Sequence, residues 1–262
     1  MTDMEKLRQR EIQILDVLKR SKFASIKDIA KETGVSEMTV RRALLRLEQD
    51  KLVRLIHGGA FVDSGTTRVD GEPSYSLVVE ESLQTEEKRR IGERAASLIE
   101  PDDVVVIDSG TTTEYLARAI PDNIHITIVC YTLNILFEVY KRKSCRIIFA
   151  GGYYHDNTMM FESLEGRQLI KKLRATKSFL GATGISDKLG VTCSNACEPD
   201  VKRAAVDSSL KRVLLADSSK FELVRPYYFA DLGEFDVIVT DKNIPSRYEK
   251  LIKELGKTLI IA

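Results

Sequence analysis

Residues 29–42 read Ile-Ala-Lys-Glu-Thr-Gly-Val-Ser-Glu-Met-Thr-Val-Arg-Arg, a helix end, a turn and a helix start in fourteen positions. Gly34 is suited to stop one helix, and Ser36 to cap the next. The second helix, Ser36 to Asp50, carries Val40, Leu44 and Leu47 as an apolar stripe at helical spacing. Toward the N-terminus, Ser25 stands three residues before Asp28, a capping-box-like start for a short helix through Ile29 and Ala30. Segment 5–20 predicts a further helix with Leu7, Ile12, Leu15 and Leu18 spaced between charges, broken by Ser21-Lys22-Phe23-Ala24. Toward the C-terminus, Leu52–Ile56 is strand-like, His57-Gly58-Gly59 a turn, and Ala60-Phe61-Val62 a return strand. Three helices and a hairpin predict a winged helix-turn-helix over residues 1–62.

With Val40, Leu44 and Leu47 turned inward, the opposite face of the third helix offers Glu37, Met38, Thr39, Arg41, Arg42 and Arg46. In a helix-turn-helix the start of the second helix reaches base edges, and flanking basic groups hold phosphates. Thr39 and Arg42 share a face, and the Arg42 guanidinium can fork onto guanine O6 and N7. Arg41 is assigned to phosphate, as is Ser36 through its hydroxyl and the helix N-terminus. Arg54 and His57 lie on the wing, placed for backbone or minor-groove contact. The candidate DNA contacts are thus Ser36, Met38, Thr39, Arg41, Arg42, Arg46, Arg54 and His57. Any one of them also fits a solvated basic face. The turn, the cap, the paired arginines and the basic wing together point to double-stranded DNA.

Charge supports this division. The net charge of +1 conceals 13 Lys/Arg against 9 Asp/Glu in residues 1–60, a balance of +4, and 27 against 30 in residues 61–262, a balance of −3. A small basic head on a slightly acidic body suits a polyanion-binding module joined to one of another kind. No stretch approaches the ~20 apolar residues of a membrane span, and Met1 to Arg10 has no apolar signal core; a cytoplasmic protein is expected. Cys130 and Cys145 sit in β-like apolar runs and read as reduced and buried. Cys193 and Cys197 are assigned to a loop, where no nearby His supports a metal or disulfide role. No metal or cofactor is expected.

Residues 63–74, DSGTTRVDGEPS, have a linker composition; the linker is drawn to residue 75, with a second domain over 76–262. There the pattern alternates: a helix from Glu86-Glu87-Lys88-Arg89-Arg90 to Ile99, a strand at Val104–Ile107, a helix from Thr112 to Ala119, strands at Ile126–Cys130 and Arg146–Ala150 flanking a helix at Leu133–Tyr140. Later strands are expected at Ser178–Leu180, Val213–Ala216, Val237–Val239 and Thr258–Ile261, with a helix at Pro199–Ser208. Continuous apolar strands alternating with helices predict an α/β domain with a mostly parallel sheet covered on both faces.

The strand Val104–Ile107 runs through Asp108-Ser109-Gly110-Thr111-Thr112-Thr113 into a helix. Backbone N–H groups at such a loop converge on an anion. The loop lacks the lysine and spacing of a nucleotide P-loop, so a compact monophosphate suits it. A plain strand-to-helix turn with a Thr cap is the alternative. Gly151 and Gly152 follow another strand at the carboxyl edge, where ligands bind in open α/β sheets. Glu198 and Lys202, four apart, offer a hydroxyl acceptor and a cation, or else a surface helix pair. Lys220, after Asp217-Ser218-Ser219, can supply charge for a phosphate.

Residues 29–42, followed by Leu44, Leu47 and Leu55-Ile56-His57-Gly58-Gly59-Ala60, resemble the signature of the DeoR family of sugar-metabolism repressors. The resemblance continues through Glu86–Arg90, Asp108–Thr113, Gly151-Gly152, Glu198–Lys202 and Asp217–Phe221. It implies a DNA-binding repressor of a sugar or nucleoside catabolic operon, with an effector domain similar in fold to ribose-5-phosphate isomerase. Such a protein is released from its operator by a phosphorylated sugar. Because one sixty-residue head offers a small interface and helix-turn-helix proteins gain affinity by pairing heads on half-sites, a dimer or higher homo-oligomer is expected. Thr127–Asn134, Gly151–His155, Gly190–Asn195 and Lys220-Phe221 with Val224-Arg225-Pro226 look closest to the branch regulating deoxyribonucleoside breakdown, which implies deoxyribose-5-phosphate as inducer. Two departures stand out. Ala43 occupies a position usually Asp, removing a carboxylate expected beside the DNA face, and Asp50-Lys51 replaces an acidic-Gly turn.

The rival reading is a sugar-phosphate isomerase carrying a DNA-binding head. Isomerisation needs a base beside the carbon that loses its proton. In Gly181-Ala182-Thr183-Gly184-Ile185-Ser186 the isomerases' acidic positions hold Thr183 and Ser186, which are not bases at neutral pH. No catalytic residue is assigned.

Overall fold

The computed structural model describes residues 11–18, 23–49, 53–56, 59–62, 77 and 84–262. The chain divides into two compact units, Met1–Ser74 and Tyr75–Ala262. Leu7, the Ser21-Lys22 break, the Asp50-Lys51 turn, His57 and the linker 63–75 lie outside the described residues.

The first unit is built from α1 (residues 11–18), β1 (Phe23–Ser25), α2 (Ile26–Thr33), α3 (Glu37–Gln49), β2 (Val53–Ile56) and β3 (Gly59–Val62). Ser25 caps α2, its Oγ accepting the Asp28 N–H at 3.0 Å. Gly34 closes that helix in the left-handed conformation, φ 69°, where a side chain would be strained. Ser36 then receives the Thr39 N–H at 3.3 Å and starts α3. The wing strands pair antiparallel, and β1 adds a third strand in the order β1-β3-β2; the segment expected only to break a helix ends in that strand. Ile14, Leu18, Ile29, Val40, Leu44 and Leu47 form the core, each worth roughly 1.5–3 kcal/mol of burial.

Two expectations are corrected in this unit. The inner face of α1 is Ile14, Val17 and Leu18, while Ile12 is 58% exposed. Charges flank both registers, so only the partner helices choose between them. Ala43 is 3% exposed and belongs to the core, not to a face that could meet DNA. At that position a carboxylate would need a partner, whereas an alanine needs only space.

The second unit begins with α4 (Thr85–Ala96) and continues through β4 (Val104–Ile107), α5 (Thr111–Ala119), β5 (Ile126–Cys130), α6 (Leu133–Val139) and β6 (Cys145–Phe149). A hairpin, β7 (Tyr153–His155) and β8 (Met160–Glu162), leads to α7 (Leu164–Lys172) and β9 (Ala175–Gly181). Then follow β10 (Gly184–Ser186), β11 (Gly190–Cys193), α8 (Pro199–Asp207), β12 (Ser209–Leu215), β13 (Tyr227–Ala230), β14 (Val237–Thr240), α9 (Ser246–Glu254) and β15 (Thr258–Ile261). Seven strands form one sheet in the order β15-β14-β12-β9-β4-β5-β6, with parallel pairing throughout. Val105 and Ile107 face one core with Ile91, Leu116 and Ile135 of α4 to α6. Val106 faces the other with Ile170, Val201 and Ile252 of α7 to α9. This period-two alternation divides the helices between the two sheet faces.

Strand order runs outward in both directions from β4. After β6 the chain returns to the far side of β4 and continues through β9. The place where the order reverses is a switch point, and the crevice beyond its carboxyl ends is where open α/β sheets hold ligands.

The antiparallel sheet β10-β11-β13 and the β7–β8 hairpin were not expected. Cys193 lies in β11 and is buried, not in a loop.

Candidate functional site

A recess of about 430 Å³, open mouth included, lies at this switch point. Three strand ends supply its walls: Ser109–Thr113 after β4, Gly181 at the end of β9 with Ala182 and Thr183 beyond it, and Ala216, Asp217 and Lys220 after β12. Glu198 enters from the N-cap position of α8, Lys202 from its first turn, and Lys88 from α4.

Thr111–Thr113 form the first turn of α5, where Gly110 is the N-cap, at φ 139°, and no side chain caps the helix. The first bond of the helix is from Glu114 N–H to the Gly110 carbonyl at 3.1 Å. The preceding N–H groups and the positive end of the helix dipole are thereby left at the recess. The Thr113 hydroxyl donates to the Gly110 carbonyl at 2.9 Å, holding the turn in shape.

Behind that loop lies a buried polar knot. Tyr131 Oη donates to Asp108 Oδ1, and Asp108 Oδ2 accepts from the Gly181 N–H at 2.9 Å and from Lys202 Nζ. Lys202 Nζ also donates to the Gly181 carbonyl at 3.1 Å, lies 3.5 Å from Glu198 Oε2 and sits 5.2 Å from the centre of the Phe229 ring. Burial opposes charge on Lys202, but Asp108 and Glu198 outweigh it and hold the ammonium above the ordinary lysine range. Burial and the Asp108 charge likewise push the Tyr131 phenol well up.

The knot separates the predicted residues. Asp108 is fully buried, both its oxygens are engaged, and it is not among the residues that line the recess. Its role in this geometry is to position Lys202 and Gly181. Ser109–Thr113, Glu198, Lys202 and Lys220 are brought together. Gly151 and Gly152 do not line the recess. A Cβ on Gly152 would stand 2.3 Å from the Glu162 carbonyl oxygen, and Gly151 gives its carbonyl to Ser163 Oγ at 2.9 Å. Both serve the close turn from β6 into β7.

Among the lining residues that were not predicted, which include Gly181–Thr183 and Ala216, two are charged. Lys88 is 2% exposed. Its spacing to Ile91 and Ala95 on the inner face of α4 was the available signal, masked by the charged run around it. Asp217 is 1% exposed, and while its Oδ1 accepts from the Ser219 N–H at 3.1 Å, its Oδ2 has no hydrogen-bond partner among the described residues. An orphaned buried carboxylate oxygen at a recess is an acceptor awaiting a donor.

In the first unit, Met38, Arg41 and Arg42 are exposed on α3, Met38 by 63%. Ser36 Oγ and Thr39 Oγ1 lie 2.9 Å apart, so the two hydroxyls share a hydrogen bond. Arg46 pairs with Glu11 of α1 at 3.0 Å, a contact that turns it toward the neighbouring helix. Arg54 is on β2, and His57 is outside the described residues.

Residues 10–66 match the DeoR-like helix-turn-helix domain and residues 83–242 the DeoR C terminal sensor domain. The chain belongs to the DeoR family. It is accordingly a DNA-binding transcriptional repressor with a sensor domain. The deoxyribose operon repressor of Escherichia coli strain K12 is 36% identical to this DeoR-family chain over 91% of it and 92% of the relative. The lactose phosphotransferase system repressor of Staphylococcus epidermidis is 32% identical over 86% and 88%. Ribose 5-phosphate isomerase A of Methanocaldococcus jannaschii overlays 66% of each chain with a TM-score of 0.38 and 14% identity, a likeness too loose to bear on chemistry. Among the described residues, no helix is long and apolar enough to cross a membrane.

Proposed function

We propose that this repressor acts on a sugar or nucleoside catabolic operon and that a sugar monophosphate, deoxyribose-5-phosphate in the favoured case, releases it from its operator. One observation carries the reading: the recess sets an uncapped helix N-terminus with Lys88 and Lys220 beside two buried carboxylates, Glu198 and Asp217. The N–H groups and ammoniums suit a phosphate. The carboxylates suit sugar hydroxyls, and Asp217 Oδ2 lacks a donor that such a hydroxyl provides. The E. coli relative's name, deoxyribose operon repressor, supports the choice of sugar.

The ligand is bound and not turned over in this reading. Glu198 already accepts from Asn195 at 2.7 Å and faces Lys202, and Thr183 and Ser186 offer no base. The protein works in the cytoplasm, on duplex operator DNA, as a homo-oligomer. On the head, Ser36, Met38, Thr39, Arg41, Arg42, Arg54 and His57 are the proposed DNA contacts, while the pairing of Arg46 with Glu11 favours a supporting role for that arginine.

Thr112→Glu tests the site by placing a carboxylate where the phosphate is bound. Operator titration at one fixed salt concentration, with increasing deoxyribose-5-phosphate, should release the parent and leave the variant bound. Lys88→Met should give the same defect without adding charge. Release of both variants at parental concentrations would place the phosphate elsewhere.

A further inference from the structure

Glu198 faces two ways. Its Oε2 lies 3.5 Å from Lys202 Nζ at the recess, while its Oε1 accepts from Asn195 Nδ2 at 2.7 Å and from the Asn195 N–H at 3.2 Å. Asn195 Oδ1 accepts from Asn157 Nδ2 at 2.7 Å. The Asn157 carbonyl accepts from the Leu77 N–H at 2.8 Å. Leu77 is only 4% exposed. It stands two residues after Tyr75, where the second unit begins, and so at the end of the chain segment that arrives from the DNA-reading head.

The direction of this chain of bonds is set by charge. A carboxylate can only accept, so Asn195 must present its amide NH₂ to Glu198 and its oxygen outward. That oxygen in turn selects the NH₂ of Asn157. The two side-chain amide dipoles then align head to tail and polarise one another, and Asn157 reaches Leu77 through its own backbone carbonyl. A hydroxyl donated to Glu198 by a ligand draws on the same negative charge and weakens the pull on Asn195. Neither Asn157 nor Asn195 lines the recess, and both are only half-buried.

We propose that Glu198, Asn195 and Asn157 couple the effector recess to the docking of Leu77, and through it to the chain entering from the DNA-reading head. Asn195 and Asn157 are positioning residues in this scheme, holding one arrangement of Leu77 when the recess is empty and another when Glu198 is engaged. The ligand shifts the balance only by the difference in its affinity for the two arrangements. The proposal rests on the recess being the effector site. Its test has one arm that depends on that reading and one that does not.

The independent arm is amide hydrogen exchange on the full chain without ligand, comparing the parent with Glu198→Gln and Asn195→Ala. The neutral Gln keeps the shape and loses the charge-assisted bond. Exchange at Leu77 should rise about fivefold in both variants, the effect of losing roughly one ordinary hydrogen bond, with β4 and β9 amides unchanged. Parental exchange at Leu77 in both variants overturns the route. So does a uniform rise across the sheet, which reports general destabilisation.

The second arm uses Asn157→Ala, which alters a half-buried side chain away from the recess. With deoxyribose-5-phosphate as the probe, the variant should bind the sugar phosphate within about twofold of the parent, and operator DNA likewise when no sugar is present. The sugar should then fail to weaken operator binding by more than about twofold. A variant released as readily as the parent overturns the proposal. If the parent itself does not bind the probe, the reading of the recess fails, and the exchange result alone decides the coupling route.

Discussion

Arg41 and Arg42 adjoin in sequence but lie about 100° apart around α3. Both are exposed, and Val40 and Ala43 beside them are buried, so the two guanidiniums address different parts of a duplex. Arg42→Ala should cost about 1–3 kcal/mol of specific binding and relax one base preference, as expected for a base contact. Arg41→Ala should weaken all sequences alike and reduce the salt slope by about one phosphate. Binding of operator and random DNA over a salt series separates them; parental behaviour in both would refute the assignment of α3. In the second unit the decisive residue is Lys202, whose ammonium sits among Asp108, Glu198 and the Gly181 carbonyl. Lys202→Met leaves two buried carboxylates without their cation. A loss of about 3–5 kcal/mol is expected, because removing one partner strands the other's charge. Denaturant unfolding reads it directly. A loss under about 1 kcal/mol would mean that water reaches Asp108.

At the scale of elements, α4 and α5 approach until their backbones nearly touch. A Cβ on Gly92 would stand 2.6 Å from Leu116 N and 2.6 Å from Tyr115 Cβ. This closeness brings Lys88 on α4 over the first turn of α5. Gly92→Ala must push the helices apart. It should cost about 1–3 kcal/mol of stability, the usual range for overpacking, and also weaken sugar-phosphate binding by separating the lysine from the helix N-terminus. Calorimetric titration alongside denaturant unfolding distinguishes this from simple destabilisation. Unchanged affinity in a destabilised variant would mean that Lys88 takes no part in binding.

For the whole molecule, a head of about sixty residues offers a small DNA interface, and helix-turn-helix proteins gain affinity by placing two heads on half-sites about one turn apart or multiples of it. The second unit is the expected site of self-association. Light scattering at micromolar concentration should show a dimer or larger species. A monomer that still binds operator tightly would contradict this. Linkage adds a further condition: operator DNA must weaken sugar-phosphate binding by the same factor as the sugar phosphate weakens operator binding.

The sequence by itself determined the local pieces. Ser25, Gly34 and Ser36 punctuate the head through capping and a left-handed turn, which act over a few residues. Val104–Ile107 running into Gly110 and three threonines specifies a strand, a loop and a helix start for the same reason. What required the tertiary structure was every choice between locally equal alternatives. Ile12 and Ile14 fit one helix equally well, and the packing of α2 and α3 buried only Ile14. Asp108 reads as a pocket acceptor until Lys202, 94 residues away, takes its charge. Lys88 reads as one of a solvated run until α4 lies across α5. A charged side chain is pulled inward only when distant groups can match it, and distance along the chain carries no record of that match.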